Sequence, residues 1–248
     1  MIRAMLFDLD GTLVQTERLK AVSYARAVRE LSADGPPEEE ILEAYKDLVG
    51  LSRRDVAVGL LERFGLEEAA RRRMGEFGVM APWQALVQVR LPIYEQMLAD
   101  PVLLRRGVWP HNMALLRQAR KTCAKVGLAT MSGCHQALRV LEVLDLRGLF
   151  DFVATADDVE HGKPDPAIYH LLAAELAVEP AQCLVIEDSP SGVRAALAAG
   201  TACVAVPTPF TRRSMHASNV LAEQWIVDDP ETLPDVVRRR IAAAAEQP

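Results

Sequence analysis

The chain has 248 residues, 50% of them hydrophobic, enough for a sizeable core in one large domain or two modest ones. Its formal net charge is −6, with acids and bases mixed along the chain, so the balance points to neither nucleic acid nor an anionic membrane. No apolar run reaches ~18 residues, so no helical membrane span is expected.

Ile2 to Leu6 form a short apolar run of strand type, and Asp8 and Asp10 fall where that strand gives way to a loop. Two apart, their side chains share one face if the strand continues through Asp10, and Gly11 is where it can break. Two close carboxylates call for a divalent cation, a lysine or a shared proton. A hard cation such as Mg²⁺ favours carboxylate and carbonyl oxygens and commonly works on phosphate. The bland alternative is an Asp-Gly turn after a strand. A cleavable leader would remove this motif, so none is expected. Cys123, Cys134, Cys183 and Cys203 form no C-x-x-C pair. They read as free thiols in a reducing cytoplasm, not as a zinc site.

Thr16 can cap a helix running through Leu31, and the Ser32–Pro37 stretch stops it. Residues 38–49 read as helix, with Ile41, Leu42, Tyr45 and Leu48 at helical spacing. Ser52 caps the next helix, with Asp55 three residues on, and Gly65 ends it after Phe64. Residues 67–104 are also helical in character. Arg71, Arg72 and Arg73 read as a solvated face there. Gly75, Gly78 and Pro82 interrupt the pattern, and Pro92 must start, kink or split a helix. The span 16–106 holds no convincing strand and reads as an all-helical insertion.

From Gly107 the texture changes. Helices near 111–121, 134–145, 165–176, 190–199 and 231–243 alternate with strands at 126–130, 152–155, 183–187, 202–206 and 225–228. That alternation predicts an α/β fold, a parallel sheet with helices on both faces. The expected division is a core of 1–15 and 107–248 and a helical domain of 16–106.

Ligands of such sheets sit beyond the carboxyl ends of the strands. The polar residues after those ends are Asp8 and Asp10, Thr130 and Ser132, Asp157, Asp158 and Lys163, then Glu187 and Asp188, and all should meet at one edge. Asp8 is the candidate nucleophile, since a carboxylate can attack phosphorus and split one hard displacement into two. Asp10 suits general acid and then base. The Thr130 hydroxyl and the turn through Ser132 and Gly133 can hold phosphoryl oxygens. Lys163, in Gly162-Lys163-Pro164-Asp165-Pro166, can offset Asp8 and the transferring charge, with Asp165 placed as a helix cap. Adjacent acids at a buried strand's end need a cation, so Asp188 is expected as a metal ligand, and Glu187 as a ligand or as an acceptor behind it. The metal set is then Asp8, Asp10, Glu187 and Asp188, with the Asp10 main-chain carbonyl as a further donor.

Asp8-Leu9-Asp10-Gly11-Thr12, the strand ending at Thr130, Gly162-Lys163-Pro164-Asp165-Pro166 and Glu187-Asp188-Ser189-Pro190-Ser191-Gly192 resemble, in order, the four motifs of the haloacid dehalogenase superfamily. The similarity spans residues 3 to about 206. It implies a Rossmann-like three-layer αβα core, an inserted helical cap, a Mg²⁺ cofactor and an aspartyl-phosphate on Asp8. The Asp at position 10 favours phosphate esters over the dehalogenase and phosphonate-cleaving branches. Val49 to Asp55 resembles the specificity loop of β-phosphoglucomutase and related sugar-phosphate phosphatases, which implies substrate contacts from Gly50 and Arg53. The resemblance to the mutases would put a His where Lys20 stands.

Hydrolysis of a small phosphorylated metabolite, of the sugar-phosphate kind, is therefore the expected activity. The alternatives are a β-phosphoglucomutase-like mutase and a non-catalytic phosphometabolite-binding regulator. No nucleic acid and no membrane partner is expected, and the assembly state is expected to be a monomer or weak dimer.

Overall fold

The computed structural model describes residues 1–32, 34–49 and 51–245. Ala33, within the expected helix stop, and Gly50 lie outside the described residues. The chain divides into two compact units, Thr16–Asp100 and a second made of Met1–Gln15 with Pro101–Pro248.

The Thr16–Asp100 unit is all helical among its described residues. Its helices are α1 (Thr16–Leu31), α2 (Glu38–Lys46), α3 (Arg53–Phe64), α4 (Glu67–Phe77) and α5 (Pro82–Ala99). Ser52 caps α3 by accepting the Asp55 N–H at 3.2 Å, and Gly65 ends it in the left-handed region. Helix α4 runs through Gly75 and stops at Gly78 instead. Helix α5 starts on Pro82 and continues through Pro92. The Gln84 side chain fastens its start, accepting the N–H groups of Met80 and Ala81 at 2.9 Å each. Arg71 pairs with Glu68 and Arg73 with Glu76 on their own helix, as a solvated face should. Inside the unit, Arg90 lies over the rings of Tyr24 and Tyr94, 4.7 and 4.3 Å from their centroids, and donates to Ser23 Oγ at 2.9 Å. This clamps α5 to α1.

The other unit is built on a five-stranded parallel sheet of β1 (Ala4–Phe7), β2 (Lys125–Ala129), β3 (Phe152–Ala154), β4 (Cys183–Glu187) and β5 (Ala202–Ala205). Its order is β3-β2-β1-β4-β5. Ala4 to Phe7 pair residue for residue with Lys125 to Leu128 on one side and Cys183 to Ile186 on the other. The strands read as continuous apolar runs because helices cover both faces. Ala4, Leu6, Val185 and Cys203 share a core with Tyr169 and Leu172 of the Ala167–Glu175 helix and Val193 and Ala196 of the Pro190–Ala198 helix. Each such leucine or valine contributes about 1.5–3 kcal/mol by leaving water.

The remaining helices are α6 (Pro101–Arg106), α7 (Pro110–Thr122), α8 (Cys134–Val143), α9 (Ala167–Glu175), α10 (Pro190–Ala198), α11 (Arg212–Ser218) and α12 (Leu233–Ala245). Helix α6 groups with the sheet and not with the 16–100 helices, so the division falls at Asp100–Pro101. The expected strand at 225–228 is absent. Glu223–Trp225 forms a 3-10 turn, and Ile226 makes only an isolated bridge to Ala205. Helix α11 carries no apolar periodicity and was not expected; Met215 is its one buried side chain. Among the described residues no helix is long and apolar enough to cross a membrane.

The strand order reverses between β1 and β4, which opens a crevice beyond their carboxyl ends. Asp8 follows the first of these strands; Glu187 ends the second and Asp188 follows it.

Candidate active site

The β1 strand stops at Phe7, one residue before Asp8, so it does not continue through Asp10. The chain turns at once, with Gly11 at φ 91° and its N–H donating to Val14 O at 2.8 Å. The two carboxyls therefore find different partners.

Asp8 joins a buried charge cluster. Lys163 Nζ donates to Asp8 Oδ1 at 2.7 Å, to Glu187 Oε1 at 2.6 Å and to Ala129 O at 3.0 Å. All three ammonium protons are thereby used, and its side chain is only 5% exposed. Asp165 holds the start of α9 by accepting the Ala167 N–H at 2.9 Å. Asp8, Glu187 and Asp188 each offer a carboxylate oxygen, the three lying within 4.8 Å of one another. Asp8 Oδ2 is buried and has no hydrogen-bond partner. Burial pushes the Asp8 carboxyl up to about 7, against the pull of Lys163, and the charges of Glu187 and Asp10 add to the rise. Lys163 moves well above its ordinary range, burial being outweighed by the two acids it touches. An orphaned anionic oxygen among converging carboxylates is what a hard cation would satisfy, so these residues fit Mg²⁺.

Asp10 belongs to a second group. Its Oδ2 accepts the Thr130 hydroxyl at 3.0 Å and the Ser132 hydroxyl at 2.6 Å. Thr130 Oγ1 in turn accepts the Ser132 N–H at 3.0 Å, which fixes the turn after β2. Gly133 caps α8 from the end of that turn. Asp157 and Asp158 turn to local work instead of joining the cluster. Asp157 accepts the Cys134 N–H at 2.7 Å, and Asp158 accepts from the Thr155 N–H and hydroxyl at 2.8 Å each. Arg53 is exposed at the start of α3, in the helical unit, and Gly50 lies outside the described residues.

Sequence reasoning missed three residues that hold this machinery in place. Tyr169 donates its hydroxyl to Glu187 Oε1 at 2.9 Å. It sits in the apolar stripe of α9 and reads as core; the signal is that a fully buried phenol needs a partner. Thr211 donates to Asp188 Oδ2 at 3.3 Å from just before α11. Asn112 of α7 donates to Thr12 O at 2.6 Å, bracing the loop that carries Asp10.

Gly192 has a steric reason for its place. A Cβ there would lie 1.8–2.3 Å from the Glu187 carboxylate. Gly192→Ala should force α10 or Glu187 to move, losing about 1–3 kcal/mol of stability and most activity. Thermal melting and a turnover assay check this; a variant that melts and turns over like the parent refutes the close approach.

The haloacid dehalogenase-like hydrolase family model matches residues 2–200. The chain is 30% identical over 212 residues to hexitol phosphatase B of Escherichia coli K12, covering 84% of this chain and 85% of that protein. It is 30% identical over 202 residues to a phosphorylated carbohydrates phosphatase of Thermotoga maritima, covering 80% and 82%. The crystal structure of β-phosphoglucomutase from Clostridium difficile aligns with TM-score 0.69 over 98% of this chain and 100% of that one, at 21% identity, a likeness of fold. These matches make the chain an enzyme of the phosphoric monoester hydrolase class. It belongs to the haloacid dehalogenase-like hydrolases.

Proposed function

We propose that the chain is a Mg²⁺-dependent phosphatase of a small phosphorylated metabolite, of the sugar-phosphate class, working through an aspartyl-phosphate on Asp8. The observation that carries this reading is the state of Asp8. One oxygen is clamped by a buried ammonium and the other is buried with no partner. A carboxyl fixed by two hydroxyls stands close by. The two curated relatives described above are named as phosphatases of phosphorylated hexitols and carbohydrates, which supports the substrate class.

Asp8 and Asp188 would hold the cation with the Asp10 main-chain carbonyl, and Glu187 stands behind them as the anchor of Lys163. Bound there, the cation supplies charge neutralisation for an ionised Asp8 and a phosphoryl group. Asp8 attacks phosphorus and the ester oxygen leaves, taking a proton from the Asp10 carboxyl. Water then attacks phosphorus, gives a proton back to Asp10 and frees the Asp8 carboxylate with release of phosphate. Thr130 and Ser132 keep Asp10 on station through both halves, and Lys163 offsets the charge spread over the phosphoryl oxygens. Substrate selection is assigned to the helical unit on the resemblance of its 49–55 stretch to a specificity loop, with Gly50 and Arg53 as the candidate contacts.

The test is a panel of phosphorylated hexoses, pentoses and hexitols assayed for phosphate release. Turnover should require Mg²⁺, vanish with EDTA and return on re-addition. Turnover that survives EDTA refutes the reading, as does a sugar-phosphate panel left untouched with Mg²⁺ present.

A further inference from the structure

Glu187 accepts hydrogen bonds on both of its carboxylate oxygens. Its Oε1 accepts Lys163 Nζ at 2.6 Å and the Tyr169 hydroxyl at 2.9 Å. Its Oε2 accepts the Asp188 N–H at 3.0 Å and the N–H and hydroxyl of Ser189 at 3.2 Å each. A carboxylate has about four lone-pair sites, two on each oxygen. Five donors crowd its two oxygens, one of which stands within 4.8 Å of oxygens of Asp8 and Asp188. Four of the five donors belong to groups with other duties: Lys163 serves Asp8 as well, and Asp188 and Ser189 lie in the turn that begins α10. Tyr169 is different. It is fully buried, Glu187 is the partner of its hydroxyl, and its ring faces Lys163 with Nζ 5.3 Å from the centroid.

We propose that the Tyr169 hydroxyl is a positioning group that holds Glu187 away from the cation and thereby tunes the site for Mg²⁺ against Ca²⁺, an inference that rests on the Mg²⁺-dependent reading above. The physical basis is the ligand appetite of the two ions. Mg²⁺ keeps several waters and is content with one or two carboxylates in tight octahedral geometry. Ca²⁺ takes six to eight oxygens at longer distances and gains from each additional carboxylate. A Glu187 oxygen released from Tyr169 would give the larger ion a third carboxylate, which the smaller ion cannot use as well. Arranging donors behind a carboxylate is thus a way of counting ligands in front of it.

The experiment is direct calorimetric titration of the metal-free protein with MgCl₂ and with CaCl₂, in the parent chain and in Tyr169→Phe. Phenylalanine keeps the ring against Lys163 and removes only the hydroxyl. Melting temperature is followed alongside. Tyr169→Leu, which also removes the hydroxyl, serves as a second variant should the first fold poorly. The expected result is that Ca²⁺ affinity rises at least about fivefold in Tyr169→Phe while Mg²⁺ affinity changes less than about twofold, with Tyr169→Leu shifting the ratio the same way. Unchanged affinities for both ions, or equal weakening of both, overturn the proposal, because a merely structural tyrosine would give one of those. If the parent chain binds neither ion, the Mg²⁺-dependent reading itself fails, and that outcome is distinct from a parent that binds Mg²⁺ with a ratio the variants leave alone.

Discussion

Replacing Asp8 with asparagine removes turnover of every substrate by a factor of at least about 10⁴. The amide keeps the size and shape of the carboxyl, so the site's geometry survives, but a neutral amide nitrogen or oxygen does not form the phosphoryl bond that the reaction needs. Binding should persist, because Lys163 retains Glu187 as an anchor at 2.6 Å. Stability should move the other way from activity. Burial raises the Asp8 carboxyl from its ordinary 3.8 to about 7, so the folded metal-free chain holds a proton that the unfolded chain gives up earlier. A carboxyl raised in the folded state contributes stability at low pH that is lost as pH climbs from about 4 to about 7. Asp8→Asn lacks this loss, so its melting temperature in EDTA should equal or exceed that of the parent at neutral pH. Phosphate release with Mg²⁺ and melting curves in EDTA between pH 4 and 8 check both halves. Retained Mg²⁺-dependent turnover by Asp8→Asn would refute the nucleophile.

The parts of the site legible in the sequence are those that a strand delivers by itself. Asp8, Glu187 and Asp188 each follow a run of apolar residues buried on both faces, and the parallel topology brings such ends to one edge without further information. Lys163 was legible for a related reason, its short rigid loop between β3 and α9. Asp157 and Asp158 share that address but go elsewhere, because an exposed acid near a helix start is readily taken by the nearest unsatisfied N–H. Tyr169 and Thr211 act through space across elements, and nothing in their own neighbourhoods distinguishes a core phenol or a loop hydroxyl from a structural group. The fold failed to show where apolarity was borrowed. Trp225 to Val227 is apolar enough for a strand, yet it reaches the sheet edge through one bridge and the Val227 N–H to Ala205 O bond of 2.8 Å. Pro92 reads as a start, kink or split of a helix, and α5, packed against α1, α3 and α4, continues through it as one element.

Lys163→Met carries the largest combined penalty. Methionine matches the length of the lysine stem and fills the same space, so the loss is electrostatic and not one of packing. It leaves Asp8 Oδ1 and Glu187 Oε1 facing each other without the ammonium that holds both, in surroundings where the Asp8 side chain is 8% and the Glu187 side chain 1% exposed. Breaking a buried ion pair by removing one partner costs about 3–5 kcal/mol. At about 2–4 °C per kcal/mol for a chain of this size, the melting temperature should fall by roughly 6–20 °C. Activity should fall by about 10³, the scale for losing one preorganised charge-stabilising donor. Adding Asp8→Asn to Lys163→Met removes one of the two stranded charges. The double variant should therefore melt above Lys163→Met alone, and the full cycle with the parent and Asp8→Asn alone measures the coupling. Arginine is no substitute at this position, since its broad planar fork cannot reproduce three bonds from one point, to two carboxylates and the Ala129 carbonyl. A Lys163→Met chain with parental melting temperature and turnover would mean that the ammonium does not sit between these acids in solution. The charge cluster would then have to be neutralised by another group, and the nucleophile would lose the partner on which its ionised form depends.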